Sequence, residues 1–217
     1  RLLDALKSLN LMENTVVLFT TDHGNHFKTR NGEYKRSCHE SSIRLPTAFC
    51  GPGFNGGGRI GELVSLVDLP PTLLDAAGLP IPATMMGRSL LRLLRGEEKA
   101  WPQEVFVQIS ESQTGRALRT KRWKYGITAP DEDGLSNPGA QRYVEQYLYD
   151  LRADPYELQN LVDVMGMEEV KAELRTRLVE RMVAVGEPTP VIEVMAGIRQ
   201  ARRFTSLAEV RPRHLST

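Results

Sequence analysis

The feature that most constrains the fold is a continuous run of β-branched and apolar side chains at residues 15–21. Such a run lacks the alternation of apolar and polar side chains that marks a strand with one solvent-exposed face. It is typical of a parallel strand buried on both faces of an α/β sheet. The run ends at the most polar turn of the chain, residues 22–26, which contains Asp22, His23 and His26. Because ligands bind at the carboxyl ends of strands in open α/β sheets, the sequence predicts a binding site at this turn.

The other elements of the first 100 residues follow from apolar spacing and from helix start and stop signals. Pro70 and Pro71 after Asp68 are typical of the first turn of a helix, where a missing N–H costs nothing. Gly78 is expected to end that helix, since glycine readily takes the left-handed conformation that follows many helices. The predicted strands are residues 15–21, 45–50 and 63–67, and the predicted helices are residues 1–9, 72–77 and 89–94.

The sequence pattern changes after Trp101. Short strands separated by tight turns predict an antiparallel sheet, and a longer apolar stripe at helical spacing predicts a helix packed on it. The predicted strands are residues 105–109, 116–120, 122–127 and 147–151. The predicted helix is residues 167–185, with Val170, Leu174, Leu178 and Met182 on its apolar face.

These patterns predict three parts in the chain. Residues 1–100 belong to the main α/β layer, and residues 101–187 form a small antiparallel sheet with its helix. Residues 188–217 are basic and weakly patterned, so we expect an extended tail there.

The charge balance and the apolar pattern exclude two broad classes of partner. The chain has 28 Lys and Arg against 27 Asp and Glu, so its net charge of +1 creates no global attraction to a nucleic acid or an anionic membrane. No apolar run reaches the roughly 20 residues that a membrane-spanning helix needs. The tail arginines lack interleaved aromatic side chains, which favours a solvated tail over a nucleic-acid site. These arginines are Arg199, Arg202, Arg203, Arg211 and Arg213.

Asp22 and His23 carry the chemistry that the polar turn can supply. A carboxylate beside a neutral imidazole suits a divalent cation, and a loop backed by a strand can hold both ligands in place. Lys35, in the charged loop that follows, could neutralise an anionic substrate oxygen. The same residue types also fit a capped turn and a solvated lysine without any ligand, so the pattern alone leaves both interpretations open.

The sequence also contains residues for two other site chemistries. His23, His26 and His39 could form a zinc triad, although the helical H-E-x-x-H spacing is absent and no cysteine pair adds ligands. Cys38 beside His39 could be a thiolate nucleophile. Adjacent residues of an extended chain point to opposite faces, however, so we expect Cys38 to be unreactive.

The order of these residues resembles the C-terminal half of a formylglycine-dependent sulfatase of the alkaline phosphatase superfamily. The resemblance covers residues 1–187. It implies an α/β fold, in which the C-terminal part of a mixed sheet lies sandwiched by helices and a small antiparallel subdomain with a packed helix follows. Lys35 lies between the first two matching stretches. In order, the stretches are FTTDHG at 19–24, HESSIRLP at 39–46, GPG at 51–53, LVDLPPTLLD at 66–75, GRSLL at 87–91, RTKRWKY at 119–125, LYDL at 148–151 and DPYE at 154–157.

The resemblance implies a role for each matching residue. Asp22 and His23 would bind the active-site divalent metal, usually Ca²⁺ in this family, with Mn²⁺, Mg²⁺ or Zn²⁺ as alternatives. Lys35 would be catalytic, by contacting the sulfate and stabilising the leaving group. Metal and lysine together would neutralise charge that develops on the reacting oxygens. His39 and Glu40 would be substrate contacts that line or support the pocket.

One part of the family's chemistry has no counterpart in this sequence. The family's nucleophile is a formylglycine made from Cys or Ser in a C/S-x-P-x-R motif, and its metal site is completed by an N-terminal Asp pair. Cys50 starts a Cys-x-Pro sequence, but the arginine is missing and the position lies on the wrong side of the metal loop. We therefore expect the C-terminal part of a longer hydrolase, which is inactive without the N-terminal half that carries the formylglycine.

Three functions remain open at this point. The first is metal-dependent hydrolysis of a sulfate ester on a small molecule or glycan. The second is hydrolysis of a phosphodiester or phosphonate monoester, because His23 stands where many sulfatases have Asn. The third is a non-catalytic remnant with a folding or binding role, since the nucleophile is missing. Two unpaired cysteines and the lack of N-glycosylation sequons favour a bacterial protein, in the cytoplasm or periplasm, of open oligomeric state.

Overall fold

The first 100 residues contain short helices and a two-stranded sheet. The structure, a computed structural model, describes residues 1–198. Helices overlap the three segments where apolar spacing predicts them, and one further short helix, at Glu40–Ile43, was not predicted. Gly78, with a φ of +69°, follows the end of the third helix as expected. In chain order the elements are α1 (Leu2–Ser8), a 3-10 turn (Met12–Asn14), β1 (Val17–Phe19), α2 (Glu40–Ile43), β2 (Ala48–Cys50), a second 3-10 turn (Leu66–Asp68), α3 (Leu69–Ala76) and α4 (Leu90–Leu94).

The strand that precedes the polar turn has the opposite pairing to the one predicted. β1 pairs with β2 in antiparallel register, with Val17 opposite Cys50 and Phe19 opposite Ala48. β2 is its one strand partner among residues 1–198, and the Phe19 side chain is exposed. The prediction of a parallel strand buried on both faces is therefore wrong within the described residues. An apolar run does not encode strand direction, which here follows from the loop and α2 that turn the chain back beside β1.

The third strand predicted for this part, at residues 63–67, is absent from the part of the chain that the structure describes. Leu66–Asp68 forms a 3-10 turn, in which the side chains of Ser65 and Asp68 each accept the other residue's backbone N–H. Asp68 also accepts the N–H of Arg88 at 2.9 Å, and its side chain makes no capping hydrogen bond to α3. These local hydrogen bonds compete with a strand ladder and outweigh the apolar pattern.

A five-stranded sheet dominates residues 101–198. Its first four strands are antiparallel neighbours in chain order, which confirms the predicted antiparallel arrangement. The fifth strand lies parallel to the fourth, with Val191 opposite Arg142, so the complete sheet is mixed. The segment predicted as an extended tail thus begins with a sheet strand. The strands are β3 (Glu104–Ile109), β4 (Thr114–Thr120), β5 (Trp123–Ala129), β6 (Arg142–Asp150) and β7 (Val191–Glu193).

One helix, α5 (Glu168–Ala184), covers one face of this sheet. Its residues Leu174, Leu178 and Met182 are almost completely buried and pack in one cluster with Leu118, Tyr125 and other sheet residues. The predicted apolar face of this helix is therefore confirmed. Burial of these side chains supplies the main apolar stabilisation of this part of the chain.

The opposite face of the sheet is covered by the loop between β1 and α2. Cys38 in this loop packs with Ala117 and Ile109, and a Cβ on Gly126 would lie 3.4 Å from the Cys38 sulfur. The loop is thereby held against the sheet. This contact places the residues that precede α2 next to the small sheet.

Two sequence predictions concern membranes and the tail. Among residues 1–198, no helix combines the length and the hydropathy that are needed to cross a membrane. The tail arginines at positions 199, 202, 203, 211 and 213 lie outside the described residues. The prediction of a solvated basic tail therefore stays a prediction for them.

The packing of α5 can be tested with one buried and one exposed residue. Leu178→Ala should lower the free energy of unfolding by about 2–5 kcal/mol, because it leaves a cavity between helix and sheet. Val183→Ala, on the exposed side of the same helix, should change it by no more than about 0.5 kcal/mol. Urea unfolding of the purified protein measures both changes. Equal effects would contradict the assignment of Leu178 to the core.

Candidate active site

Asp22 lies three residues beyond the end of β1, with its carboxylate exposed to solvent. Its Oδ1 accepts the backbone N–H of His23 at 3.1 Å. Desolvation raises the pKa of the Asp22 carboxyl, but backbone hydrogen bonds and the His23 ring outweigh this effect and hold that pKa below its ordinary value. The carboxylate is therefore ionised at neutral pH and accessible to a cation.

The ring of His23 has a defined orientation. Its Nδ1 lies 2.8 Å from the carbonyl oxygen of Gly24, and a carbonyl can only accept, so Nδ1 carries the proton in this arrangement. The lone pair is therefore on Nε2, which lies 3.6 Å from Asp22 Oδ2. A histidine that binds a metal is commonly held in this way, by a hydrogen bond from its other nitrogen to a carbonyl.

Lys35 completes a compact group with these two residues, which we name the strand-end cluster: Asp22, His23 and Lys35. The Lys35 Nζ donates to His23 Nε2 at 3.1 Å, across twelve residues of sequence. The ammonium also lies 5.5 Å from the centre of the Tyr34 ring. The structure thus brings together the three residues that the sequence assigned to metal binding and catalysis.

The strand-end cluster has the right donors for a divalent cation but too few of them. A carboxylate oxygen and an imidazole nitrogen with a fixed lone pair are ordinary ligands of such ions. Within residues 1–198 there is no group of three or more His, Cys, Asp or Glu side chains placed to hold a metal. In this structure the Nε2 lone pair accepts the hydrogen bond from Lys35, so a metal bound at His23 would replace that contact. With this change the residues present fit a metal, and a complete site would need additional ligands.

The zinc triad considered from the sequence does not form in the described part of the chain. His26 and His39 are both buried, whereas the His23 ring lies at the surface-facing strand-end cluster. Neither ring nitrogen of His26 has a hydrogen-bond partner among residues 1–198, and no set of three ligands includes it. That hypothesis is therefore wrong for this arrangement.

His39 lies in the core between loop and sheet, with an exposed fraction of 1%. Its Nδ1 contacts the Ser37 hydroxyl and its Nε2 the Tyr149 hydroxyl, both at 3.1 Å, and its ring packs on Tyr147. Burial lowers the pKa of His39 to about 3, and the charges of Arg30, Lys124 and His26 act in the same direction. His39 is a neutral core residue here, and its predicted substrate contact stays a prediction.

Glu40 is the other predicted substrate contact, and the structure shows it engaged in ion pairs. Its carboxylate lies 2.8 Å from Lys124 Nζ and 3.1 Å from Arg119 Nη2. Desolvation raises the pKa of Glu40, but the Arg119 and Lys124 contacts outweigh it and leave that pKa below its ordinary value. Contact between Glu40 and a substrate likewise stays a prediction.

The residues that pair with Glu40 were not identified from the sequence. Lys124 is completely buried on β5 and lies 2.5 Å from Glu157 Oε1, which is also buried. We name Glu40, Lys124 and Glu157 the clasp. One signal was available: Lys124 stands between Trp123 and Tyr125, two large aromatic residues, inside a predicted strand. A lysine at such a position requires a buried carboxylate partner.

Two arginines fix the loop that carries Lys35, one on each side of it. Arg30 donates from Nη1 to the carbonyl of Glu157 and from Nη2 to that of Tyr156, both at 2.7 Å. Arg36 donates to Glu33 at 2.8 Å and forms a second ion pair with Glu111. The loop is therefore attached to the small sheet and its following turn on both sides of Lys35.

Cys38 has none of the properties of a nucleophile. It is buried, and burial raises the pKa of its thiol to about 12. This agrees with the prediction of an unreactive thiol, since the thiolate is the reactive form. Cys50 is also a free cysteine.

The fold and the strand-end cluster define an α/β protein with an exposed carboxylate and a half-buried imidazole and ammonium near a strand end. Residues 32–184 match the family described as "N-sulphoglucosamine sulphohydrolase, C-terminal". The chain therefore belongs to this family of sulfatase C-terminal regions. This confirms the resemblance proposed from the sequence motifs.

Individual relatives agree with this assignment. Arylsulfatase K of Canis lupus familiaris is 35% identical over 167 residues, which are 72% of this chain and 29% of that protein. A solved structure from Bacteroides thetaiotaomicron VPI-5482 is 30% identical with a TM-score of 0.69, over 84% of this chain and 39% of that chain. The chain thus spans well under half of the length of these relatives.

Two further solved structures show the same fold. A protein in complex with its substrate D-glucosamine-2-N,6-O-disulfate is 26% identical with a TM-score of 0.68, over 87% of this chain and 38% of that chain. The phosphonate monoester hydrolase of Silicibacter pomeroyi has a TM-score of 0.71 at 21% identity, over 87% of this chain and 38% of that chain. The predicted α/β fold class is therefore confirmed.

The burial of neutral His39 predicts a specific dependence of stability on pH. The unfolded chain takes up a proton at this residue below its ordinary pKa of 6.5, whereas the folded chain does so only near pH 3. The free energy of unfolding should therefore fall as the pH is lowered from 6.5 towards 3, and His39 alone contributes about 1.4 kcal/mol per pH unit to this fall. Denaturant unfolding at about pH 5.5 and 4.5 measures it.

His39→Gln is the matched variant, because an amide keeps a donor and an acceptor but does not titrate in this range. Its stability should fall less steeply between these two pH values. Parallel pH profiles for the two proteins would contradict a neutral, buried His39.

Proposed function

We propose that this chain is the C-terminal part of a sulfuric ester hydrolase whose active site includes the strand-end cluster. The single observation that carries the proposal is the convergence of Asp22, His23 and Lys35 at the end of β1, in a chain of the sulfatase family. Asp22 and His23 would bind a divalent cation, with Ca²⁺ as the first candidate. A sulfated glycan or small molecule would be the substrate, which is supported by the relative solved with a sulfated glucosamine.

The roles of the residues follow from their chemistry. Asp22 supplies an ionised oxygen, and His23 supplies the Nε2 lone pair that its bond to Gly24 fixes. Lys35 places a positive charge where the leaving oxygen of the ester becomes negative, and it can donate a hydrogen bond there. A divalent cation, when bound, adds a second positive charge at the sulfate oxygens.

The nucleophile and the remaining metal ligands are inferred to come from residues outside these 217. The sequence has no C/S-x-P-x-R motif for a formylglycine, and the strand-end cluster offers two ligands. Relatives are much longer than this chain, which leaves room for both. We therefore expect the 217 residues to be inactive when expressed alone.

An exposed apolar surface supports the same inference. Leu2, Leu3 and Leu9 on and beside α1 and Phe19 on β1 are all exposed, and α1 buries none of its residues. Exposed apolar side chains and a free strand edge each invite aggregation unless other chain segments cover them. Coverage by the N-terminal half of the same protein would bury these side chains.

Two alternatives remain as second candidates. Hydrolysis of a phosphodiester or phosphonate monoester is favoured by the imidazole of His23 at the second ligand position. A non-catalytic binding or folding role is favoured by the absence of the nucleophile from this sequence. Each predicts a different outcome in the assays below.

The catalytic role of Lys35 is tested by sulfate release from an aryl sulfate. The protein expressed from its complete reading frame should release sulfate, and Lys35→Met should lower kcat by roughly 100-fold or more, because the charge that stabilises the leaving oxygen is lost. Lys28→Met, an exposed lysine of the same loop, is the matched control and should stay within about twofold of native.

Turnover of phenyl phosphonate by the same preparation separates the two chemistries. A higher kcat/KM on phosphonate than on sulfate would replace the sulfatase proposal by the phosphonate one. Absence of turnover on both, in protein that carries formylglycine by mass spectrometry, would favour the non-catalytic role.

The metal role of Asp22 is tested by calorimetric titration with Ca²⁺. Asp22→Ala should raise the Kd by roughly 10-fold or more, because it removes a charged oxygen ligand. Asp131→Ala, at an exposed position of the loop after β5, should leave the Kd unchanged. Unaltered Ca²⁺ binding in Asp22→Ala would show that the metal binds elsewhere.

A further inference from the structure

The stretch at residues 154–157 contains Glu157, a buried carboxylate to which the proposed chemistry assigns no role. Its exposed fraction is 2%, and its backbone has a φ of +56°, in the left-handed region that non-glycine residues rarely occupy. Residues held in such conformations concentrate at functional sites, because surrounding contacts must impose them. The contacts of Glu157 explain how its left-handed backbone conformation is maintained.

Glu157 contacts the chain on both sides of Lys35. Its Oε2 accepts the backbone N–H of Glu40, the first residue of α2, at 2.8 Å. Its carbonyl oxygen accepts from Arg30 Nη1 at 2.7 Å. Its Oε1 accepts from the buried ammonium of Lys124 at 2.5 Å, which ties the residue to β5. One side chain and one carbonyl thus hold both ends of the loop that carries Lys35.

The position of α2 in turn determines the position of His23. The carbonyl of Ser42 in α2 accepts the N–H of Gly24 at 2.8 Å. A Cβ on Gly24 would lie 2.1 Å from the carbonyl oxygen of Ser41, so α2 packs too closely on Gly24 to leave room for a side chain there. Gly24 then accepts the Nδ1 proton of His23. A shift of α2 is therefore transmitted to the His23 ring.

We propose that Glu157 is a positioning residue for the strand-end cluster. It fixes the position of Lys35 through its contacts with Arg30 and Glu40, and it fixes the position of the His23 ring through α2 and Gly24. This inference rests on the proposed function, since it concerns the residues assigned to metal and substrate.

A purely stabilising role is the alternative, and Glu145 provides the matched control. Glu145 is as buried as Glu157 and accepts from Lys171 Nζ at 3.0 Å and from Arg175 Nη1 at 2.7 Å. These partners belong to α5, on the face of the sheet opposite the loop. Loss of Glu145 therefore removes a comparable buried ion pair without contacting α2, Arg30 or the strand-end cluster.

The experiment compares Glu157→Ala, Glu157→Gln and Glu145→Ala in the protein expressed from its complete reading frame. Hydrogen exchange of the peptide that spans residues 20–27 reports the Gly24 N–H bond without requiring metal or activity. Ca²⁺ titration, kcat and KM are measured on the same samples. Thermal unfolding midpoints show how far each variant is destabilised.

Glu157→Ala should speed exchange in residues 20–27 and weaken Ca²⁺ binding by roughly 10-fold each, with kcat lowered more than KM is raised. Glu157→Gln should recover most of the loss, because its amide oxygen still accepts the Glu40 N–H. Glu145→Ala should lower the unfolding midpoint while exchange in this peptide and the Ca²⁺ affinity stay at the native values.

Equal effects of Glu157→Ala and Glu145→Ala on exchange and Ca²⁺ affinity would overturn the positioning role, as would a Glu157→Gln variant no better than Glu157→Ala. Failure of the proposed function looks different. In that case the native protein binds no Ca²⁺ and releases no sulfate, while the contrast in hydrogen exchange still decides the role of Glu157.

Discussion

The buried ammonium of Lys124 is the interaction on which the candidate site depends. Its charge lies in the space between loop and sheet, and the carboxylates of Glu40 and Glu157 converge on it. A buried charge without a partner has a large free-energy cost. If the loop left the sheet, the ammonium would either become exposed to solvent or lose its carboxylate partners. The loop that carries Lys35 is therefore held in one position on the sheet, although it contains little regular structure.

The sheet separates two buried ionic groups with different consequences. On the α5 face, Lys171 and Glu145 join helix and sheet and also hold the segment after β7, because Lys171 contacts the carbonyl of Met195. On the loop face, the clasp joins segments that are more than 100 residues apart in sequence, as the Glu40–Glu157 contact shows. The first group is part of the fold of the small sheet, and the second makes that sheet a support for the end of β1.

The parts of the fold that the sequence predicted correctly are those with a local physical cause. The stripe that ends in Leu178 and Met182 identifies α5, and Gly78 identifies the end of α3, because spacing and backbone freedom act within a few residues. The direction of β1 could not be predicted, since an apolar run looks the same in either pairing. Residues 63–67 were misassigned because the hydrogen bonds between Ser65 and Asp68 outweigh a short apolar pattern. Asp22, His23 and Lys35 were found from their residue types after a predicted strand and from motif order, whereas Lys124 and Glu157 meet only in the folded chain.

The packing of Cys38 against the sheet has a practical consequence for measuring loop motion. Its sulfur lies 3.4 Å from where a Cβ on Gly126 of β5 would be, and its thiol stays protonated at neutral pH, whereas Cys50 is partly accessible. A thiol reagent can reach Cys38 only when the loop lifts from the sheet. The rate of Cys38 labelling, measured with Cys50 already blocked, therefore reports how often this loop opens.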